Sequence, residues 1–281
     1  MPAMKIDITI LADNTAASSY LAEWGFSALI ETGGCKFLFD TGRSFTALHN
    51  AKLAGKDFTG LEAIVLSHGH YDHTGGLTDI LKTAGQNTKV IAHPAAFNQK
   101  YAVRKPGARF DYIGIPCTKE EIRAKKAELV LSELPYKITN EITTTGEIPL
   151  KTSFECPDES LLETKNGNYF PDPFMDDLAL VINSGSGLVL IAGCSHRGII
   201  NAIMRAQQIT GVNKIRAVIG GLHLHSASNK QIELTAQALK SMGVEMVAAG
   251  HCTGFNASCG LKNALGDSFS LLTAGRKISL S

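Results

Sequence analysis

No apolar run in the 281 residues approaches the roughly 20 consecutive positions that a membrane-crossing helix needs, so no membrane partner is expected. Net charge is scarce as well. Lys and Arg number 27 against 26 Asp and Glu, which leaves +1, and no basic stretch interleaved with aromatics occurs. Such a chain sets up no global field for nucleic acid. The six cysteines (Cys35, Cys117, Cys156, Cys194, Cys252, Cys259) are scattered and form no C-x-x-C pair. That argues against a disulfide framework and for a reducing compartment, the cytoplasm. The opening MPAMKIDITILAD lacks a charged region followed by a signal-type apolar core and runs straight into a strand-like alternation. What is present suffices for a sizeable core: 44% of the residues are hydrophobic and 19% charged. One large domain over residues 1–281 is expected.

Chemistry concentrates in LEAIVLSHGHYDHTGGL, Leu61 to Leu77. His68, His70, Asp72 and His73 fall within six positions, taking three of the nine histidines. The run Ala63-Ile64-Val65-Leu66 reads as a buried strand leading into them. Gly69 then reads as the site of a sharp turn, and Thr74-Gly75-Gly76 leads into a helix. The cluster therefore sits on a loop at a strand end, where a rigid scaffold presents side chains to a cleft. Neutral imidazole and carboxylate are ligands for zinc and similar ions. His68 and His70 point the same way in an extended segment, while Asp72 and His73 come after the turn. One loop can thus feed two metals, and the density of ligand types outweighs a merely solvated polar loop.

This H-x-H-x-D-H pattern resembles the signature of the metallo-β-lactamase superfamily. The resemblance implies a four-layered αββα sandwich of the mixed α/β class and a mono- or dinuclear metal site. The strand ending Phe39-Asp40-Thr41-Gly42 is similar to another element of that family, in which the aspartate orients the histidine loop; the resemblance implies the same orienting role for Asp40, beside the plainer reading of a cap for a helix over 44–53. Farther along, Leu188 to Ala192 ends in Gly193-Cys194-Ser195-His196. The family commonly has a separate histidine and then a strand-terminal Gly-Asp. Here Cys194 stands in the place of the bridging aspartate, as a bridging thiolate or as a buried non-ligating thiol. His196 is taken as a metal ligand rather than a cap of the helix over 198–210. The late Gly250-His251 matches the family's last histidine ligand. The implied sets are His68, His70 and His196 for one ion, and Asp72, His73 and His251 for the other, with Cys194 between them. Zinc is the first choice for both, with manganese and iron as alternatives.

Other residues fall at strand ends without so clear a part. Ile215 to Ile219 runs into Gly220-Gly221-Leu222-His223-Leu224-His225; His223 is a candidate for substrate contact or acid–base work, and with Asp72 makes up the catalytic assignment. His225 is expected to be peripheral. His93 ends the strand Lys89–Ala92 and faces either the cleft, as a substrate contact, or its own neighbours. Residues 95–175 are the least regular part and are expected to form an inserted lobe over the active site. Its basic residues Lys100, Arg104, Lys105 and Arg109 read either as a solvated face or as partners for a phosphate or carboxylate. Arg104 and Arg109 are the candidates for substrate binding.

The combination L-S-H-G-H-Y-D-H-T-G-G-L, G-C-S-H-R-G-I-I-N, G-G-L-H-L and G-H-C-T-G spans nearly the whole chain. It resembles the branch of archaeal 7,8-dihydropterin-6-methyl-4-(β-D-ribofuranosyl)aminobenzene 5′-phosphate synthase-like proteins. The resemblance implies a transferase joining a dihydropterin pyrophosphate to an arylamine ribofuranosyl phosphate. Two alternatives stand beside it: a metal-dependent hydrolase of a small ester, lactone or phosphodiester, and a non-catalytic protein holding a small ligand in the same cleft. A small, phosphorylated substrate is the expected partner, and a homo-oligomer is left open.

Overall fold

The computed structural model describes residues 4–103 and 110–281. Two main sheets face each other. The first has seven strands, in the order Lys277–Leu280, Ile6–Ala12, Ser27–Thr32, Cys35–Phe39, Leu61–Val65, Lys89–Ala92 and Glu128–Leu131. Its first four strands pair antiparallel and the rest parallel. The second has six, in the order Phe269–Leu271, Met246–Gly250, Ile215–Gly221, Leu188–Ala192, Ala179–Asn183 and Ile142–Thr144. Here the parallel pairs come first and the hairpin of 179–192 follows.

Period-two alternation assigns each side chain to a layer. Ile6, Ile8, Ile10, Phe37, Phe39 and Val65 of the first sheet meet Leu180, Ile182, Val189, Ile191 and Ile219 of the second in one core between the sheets. The intervening Leu29, Leu38, Ile64 and Val90 point outward to the helices of the first sheet. There Leu77, Ile80, Leu81 and Ala84 bury one stripe of the helix Leu77–Ala84 at helical spacing. On the far side Ile232, Thr235, Ala236 and Leu239 repeat that spacing in the helix Asn229–Ser241. The layers are helix, sheet, sheet, helix, as expected from the motifs.

Residues 95–175 divide. Lys100–Ala102, Asp111–Tyr112, Leu161–Lys165 and Asn168–Pro171 build a separate four-stranded antiparallel sheet. Glu128–Leu131 and Ile142–Thr144 instead serve as the edge strands of the two main sheets. A short helix, Lys119–Ala124, is capped by Thr118. Trp24 lies on the loop before the strand Ser27–Thr32.

Candidate metal centre

Strand ends from both sheets converge on one rim of the sandwich. The loop after Leu61–Val65 carries His68 and His70, and the short helix Tyr71–Thr74 carries Asp72 and His73. Backbone contacts lock this loop to its neighbours: the Thr41 N–H donates to the His73 carbonyl at 2.7 Å, and the Phe26 N–H to that of Asp72 at 3.2 Å. Gly69 is needed for a reason other than a turn. A Cβ there would lie 1.9 Å from the Ala96 carbonyl oxygen, so two backbones meet where no side chain fits.

His68, His70, Asp72, His73, Cys194, His196 and His251 all lie together, buried. His196 Nε2 is 3.3 Å from His68 Nε2. His73 Nε2 is 3.1 Å from His251 Nε2 and 3.2 Å from Cys194 Sγ. Asp72 Oδ2 lies 3.5 Å from His251 Nε2 and 3.8 Å from His73 Nε2.

Asp40 holds the second pair from behind. Its Oδ2 is 2.7 Å from His73 Nδ1 and accepts the Ser67 hydroxyl at 2.7 Å, while Oδ1 accepts the Ser67 N–H at 2.7 Å. It caps no helix; the helix Thr46–Leu53 starts at Phe45 without a side-chain cap. His196 is likewise no cap. Glu155, from a distant loop, accepts the Ile200 and Asn201 N–H groups at the start of the helix Ile199–Thr210.

The donor arrangement shows that this cluster suits a cation. Asn14 Oδ1 accepts the Gly25 N–H, and its Nδ2 donates to the His251 carbonyl, which fixes the amide's orientation. That same Oδ1 is 3.0 Å from His251 Nδ1, so His251 Nδ1 carries the proton. His73 Nδ1, facing the Asp40 carboxylate, carries its proton too. Both Nε2 atoms then present lone pairs to each other at 3.1 Å, an arrangement that a positive ion between them relieves. His70 Nε2 is buried with no hydrogen-bond partner among the described residues.

Electrostatics agree. Burial, then neighbouring histidines and Lys100, hold His68, His70 and His196 well below the usual imidazole range, as neutral donors. Burial opposes charge on His73, yet Asp40 and Asp72 raise its pKa to about 9, so without an ion a second proton on Nε2 bridges to His251, and a bound metal takes that proton's place. Burial pushes the Cys194 thiol well above its usual range; a metal would make it a thiolate.

The cluster opens into a cavity of about 550 Å³ lined by, among others, Trp24, Arg43, Tyr71, His223, His225 and Cys252. His223 lies on its wall, 4.2 Å from the His196 ring. His225 is a correction: it also lines the cavity, edge-on to Trp24 at 6.2 Å. His93 is a second correction. Its Nδ1 accepts the Ala95 N–H and its Nε2 is 3.3 Å from Glu147 Oε1, so it serves its own turn rather than the cavity. Lys100 is a third, neither solvated nor available to substrate: it is buried between Asp172 and Asp176, at 2.5 and 2.9 Å. Arg104, Lys105 and Arg109 lie outside the described residues.

Asn14, Trp24, Asp176 and Phe174 belong to none of the sequence motifs. Asp176 Oδ2 accepts the Gly69 N–H at 2.8 Å. The Phe174 ring stacks on His196 at 4.0 Å and 8°. Only Asp176 gave a signal, a carboxylate just before a buried strand.

The chain belongs to the metallo-β-lactamase superfamily, whose family model matches residues 25–251. Within it, the chain is 36% identical to the 7,8-dihydropterin-6-methyl-4-(β-D-ribofuranosyl)-aminobenzene-5′-phosphate synthase of Methanocaldococcus jannaschii, over 97% of this chain and 96% of that protein. It is 38% identical to an uncharacterized protein of the same organism, over 89% and 91% of the two chains. A solved structure described as a metal-dependent hydrolase of the β-lactamase superfamily superposes with a TM-score of 0.84 at 31% identity, covering 98% of this chain and 99% of that one.

Proposed function

We propose that this chain is a metal-dependent transferase with two substrates, a dihydropterin pyrophosphate and a phosphorylated arylamine, the reaction class suggested by its end-to-end relative. The observation that carries the reading is a shared wall. Arg43 and Tyr71 line both the cavity over the metal ligands and a second, more open hollow of about 770 Å³ bounded by Tyr101, Phe110 and Tyr112. A hydrolase of a small ester, lactone or phosphodiester needs one hollow and a water; two aromatic hollows meeting at one cation suit two flat substrates with phosphate groups.

His68, His70 and His196 would hold one metal, and Asp72, His73 and His251 the other, with Cys194 beside both. When bound, the ions supply positive charge to a departing pyrophosphate. The chain's own groups do the rest. The Arg43 guanidinium, 5.2 Å above the Tyr71 ring, offers a charge at the junction of the hollows. Trp24, half-exposed and 5.4 Å from the His251 ring, offers a stacking face for a heterocycle. In the coupling step the arylamine nitrogen forms a bond to the pterin methyl carbon, the carbon–oxygen bond to pyrophosphate breaks, and the amine gives up a proton. Asp72 and His223, which line the cavity, would receive it.

The test is direct. Zinc-loaded protein given both substrates should release pyrophosphate only when the arylamine is present. Turnover of a simple ester with no coupled product would replace this reading with the hydrolase, and absence of both activities would favour a ligand-binding protein. Arg43→Ala should raise KM for the phosphorylated substrates by about tenfold or more, the loss of one charge-assisted contact.

A further inference from the structure

Behind the paired histidines lies a second donor group. Cys194, His223 and Cys252 bring one ligand atom each within 4.8 Å of one another. Both thiols are buried. Both ring nitrogens of His223 are buried without a hydrogen-bond partner among the described residues, although each is a group that ordinarily finds one. The three residues come from three parallel strands of one sheet, at the ends of 188–192, 215–221 and 246–250.

The backbone is shaped to bring them together. His223 has a φ of 48°, a left-handed conformation costly for a residue with a side chain. Ser195, next to Cys194, and His251, next to Cys252, have φ of 61° and 48°. A Cβ at Gly221 would lie 2.5 Å from Cys252 Sγ, so glycine at that position is what lets the thiol approach Cys194. The Cys252 sulfur also accepts the His223 N–H at 3.3 Å.

We propose that Cys194, His223 and Cys252 form a further metal position, selective for a thiophilic ion such as zinc or cobalt and sharing Cys194 with the neighbouring centre. Two thiolates and an imidazole are a known ligand set for tetrahedral zinc with an open fourth place, with bonds of about 2.3 Å to sulfur and about 2.0 Å to nitrogen. All three residues line the cavity, so the open place faces it. Soft thiolates select against magnesium and manganese. With that ion bound, Cys252 and His223 serve as its ligands, and the proton of the coupling step falls to Asp72 alone.

Cobalt(II) titration of the chelator-stripped full chain tests this without any activity measurement. Thiolate-to-cobalt charge-transfer absorption should appear. Cys252→Ser should lower its limiting intensity by roughly half and bind one metal fewer, while retained binding at the histidine centre reports a folded chain. His223→Ala should weaken the same absorption's apparent affinity at least about tenfold. Unchanged intensity and metal content in Cys252→Ser, with the histidine centre intact, would overturn the proposal. The transferase reading is unaffected by that result, and loss of coupling activity leaves this one standing.

Discussion

Asp40 illustrates how much one carboxylate decides at the scale of a residue. It sits at φ 57°, fully buried, and takes hydrogen bonds from the Ser67 N–H, the Ser67 hydroxyl and His73 Nδ1. It therefore fixes both the rotation and the tautomer of His73. Asp40→Asn should weaken metal binding about 10- to 100-fold, the usual cost of disturbing a ligand's outer partner, as read by chelator competition; unaltered affinity would refute the role. Asp177 gives a prediction of a different kind. Burial raises its carboxyl from 3.8 to about 7. Below pH 3.8 it is protonated whether the chain is folded or not. Between there and about 7 the folded state keeps a proton that the unfolded state releases, so stability falls as pH rises through that window. Asp177→Asn, still able to accept the Arg197 N–H that Asp177 accepts now, should melt progressively higher than the parent as pH rises from about 4 to 7 in stripped protein. Equal melting temperatures across that range would refute the raised pKa.

The residues legible in sequence were those with a spacing signature. H-x-H-x-D-H, F-D-T-G, G-C-S-H and G-H each sit at a strand end, and the fold brings all of them to one rim. Asn14 and Phe174 were silent because their partners are far off: Asn14 meets a residue 237 positions away. Nor can a sequence show that His93 already has Glu147, or that Lys100 is enclosed by two carboxylates.

Elements show the same division. Strands in the sheet centres were legible because they are short continuous apolar runs, such as Leu188–Ala192, buried on both faces. The separate small sheet was not, since strands such as Lys100–Ala102 and Asp111–Tyr112 are three and two residues long and carry no usable period. Their stability rests on tertiary pairing instead. Lys100, 5.3 Å from the Phe174 ring, ties that sheet to Asp172 and Asp176, and Asp176 holds the histidine loop. Lys100→Met leaves two buried carboxylates uncompensated and should cost about 3–5 kcal/mol, measured by denaturant unfolding. The helix Ile199–Thr210 depends on a borrowed cap. Glu155→Ala strips acceptors from the Ile200 and Asn201 N–H groups and should cost about 1–2 kcal/mol.

For the whole molecule, the metal reading makes a global prediction. The donors span residues 68 to 251 and come from both sheets, so an ion bound to them ties the two halves of the sandwich together. Stripping metal should lower Tm, and zinc should restore it in proportion to its concentration. His68→Ala should show a smaller response; an identical response would mean that the ion binds elsewhere.

The edge strand Lys277–Leu280 pairs with Ile6–Ala12, joining segments some 270 positions apart in register. Until residue 280 has been synthesised, the first strand of the chain waits with one flank open, and its Ile6, Ile8 and Ile10 face a half-built interior. Sheet closure is thus a late, long-range event, slow by the entropy of the loop it must close. A chain shortened by its last few residues would keep every metal donor and every wall of the cavity, yet expose the unpaired backbone edge of Ile6–Ala12, ready to pair with another copy. Its failure would be seen as aggregation on the ribosome's timescale, with the chemistry itself intact.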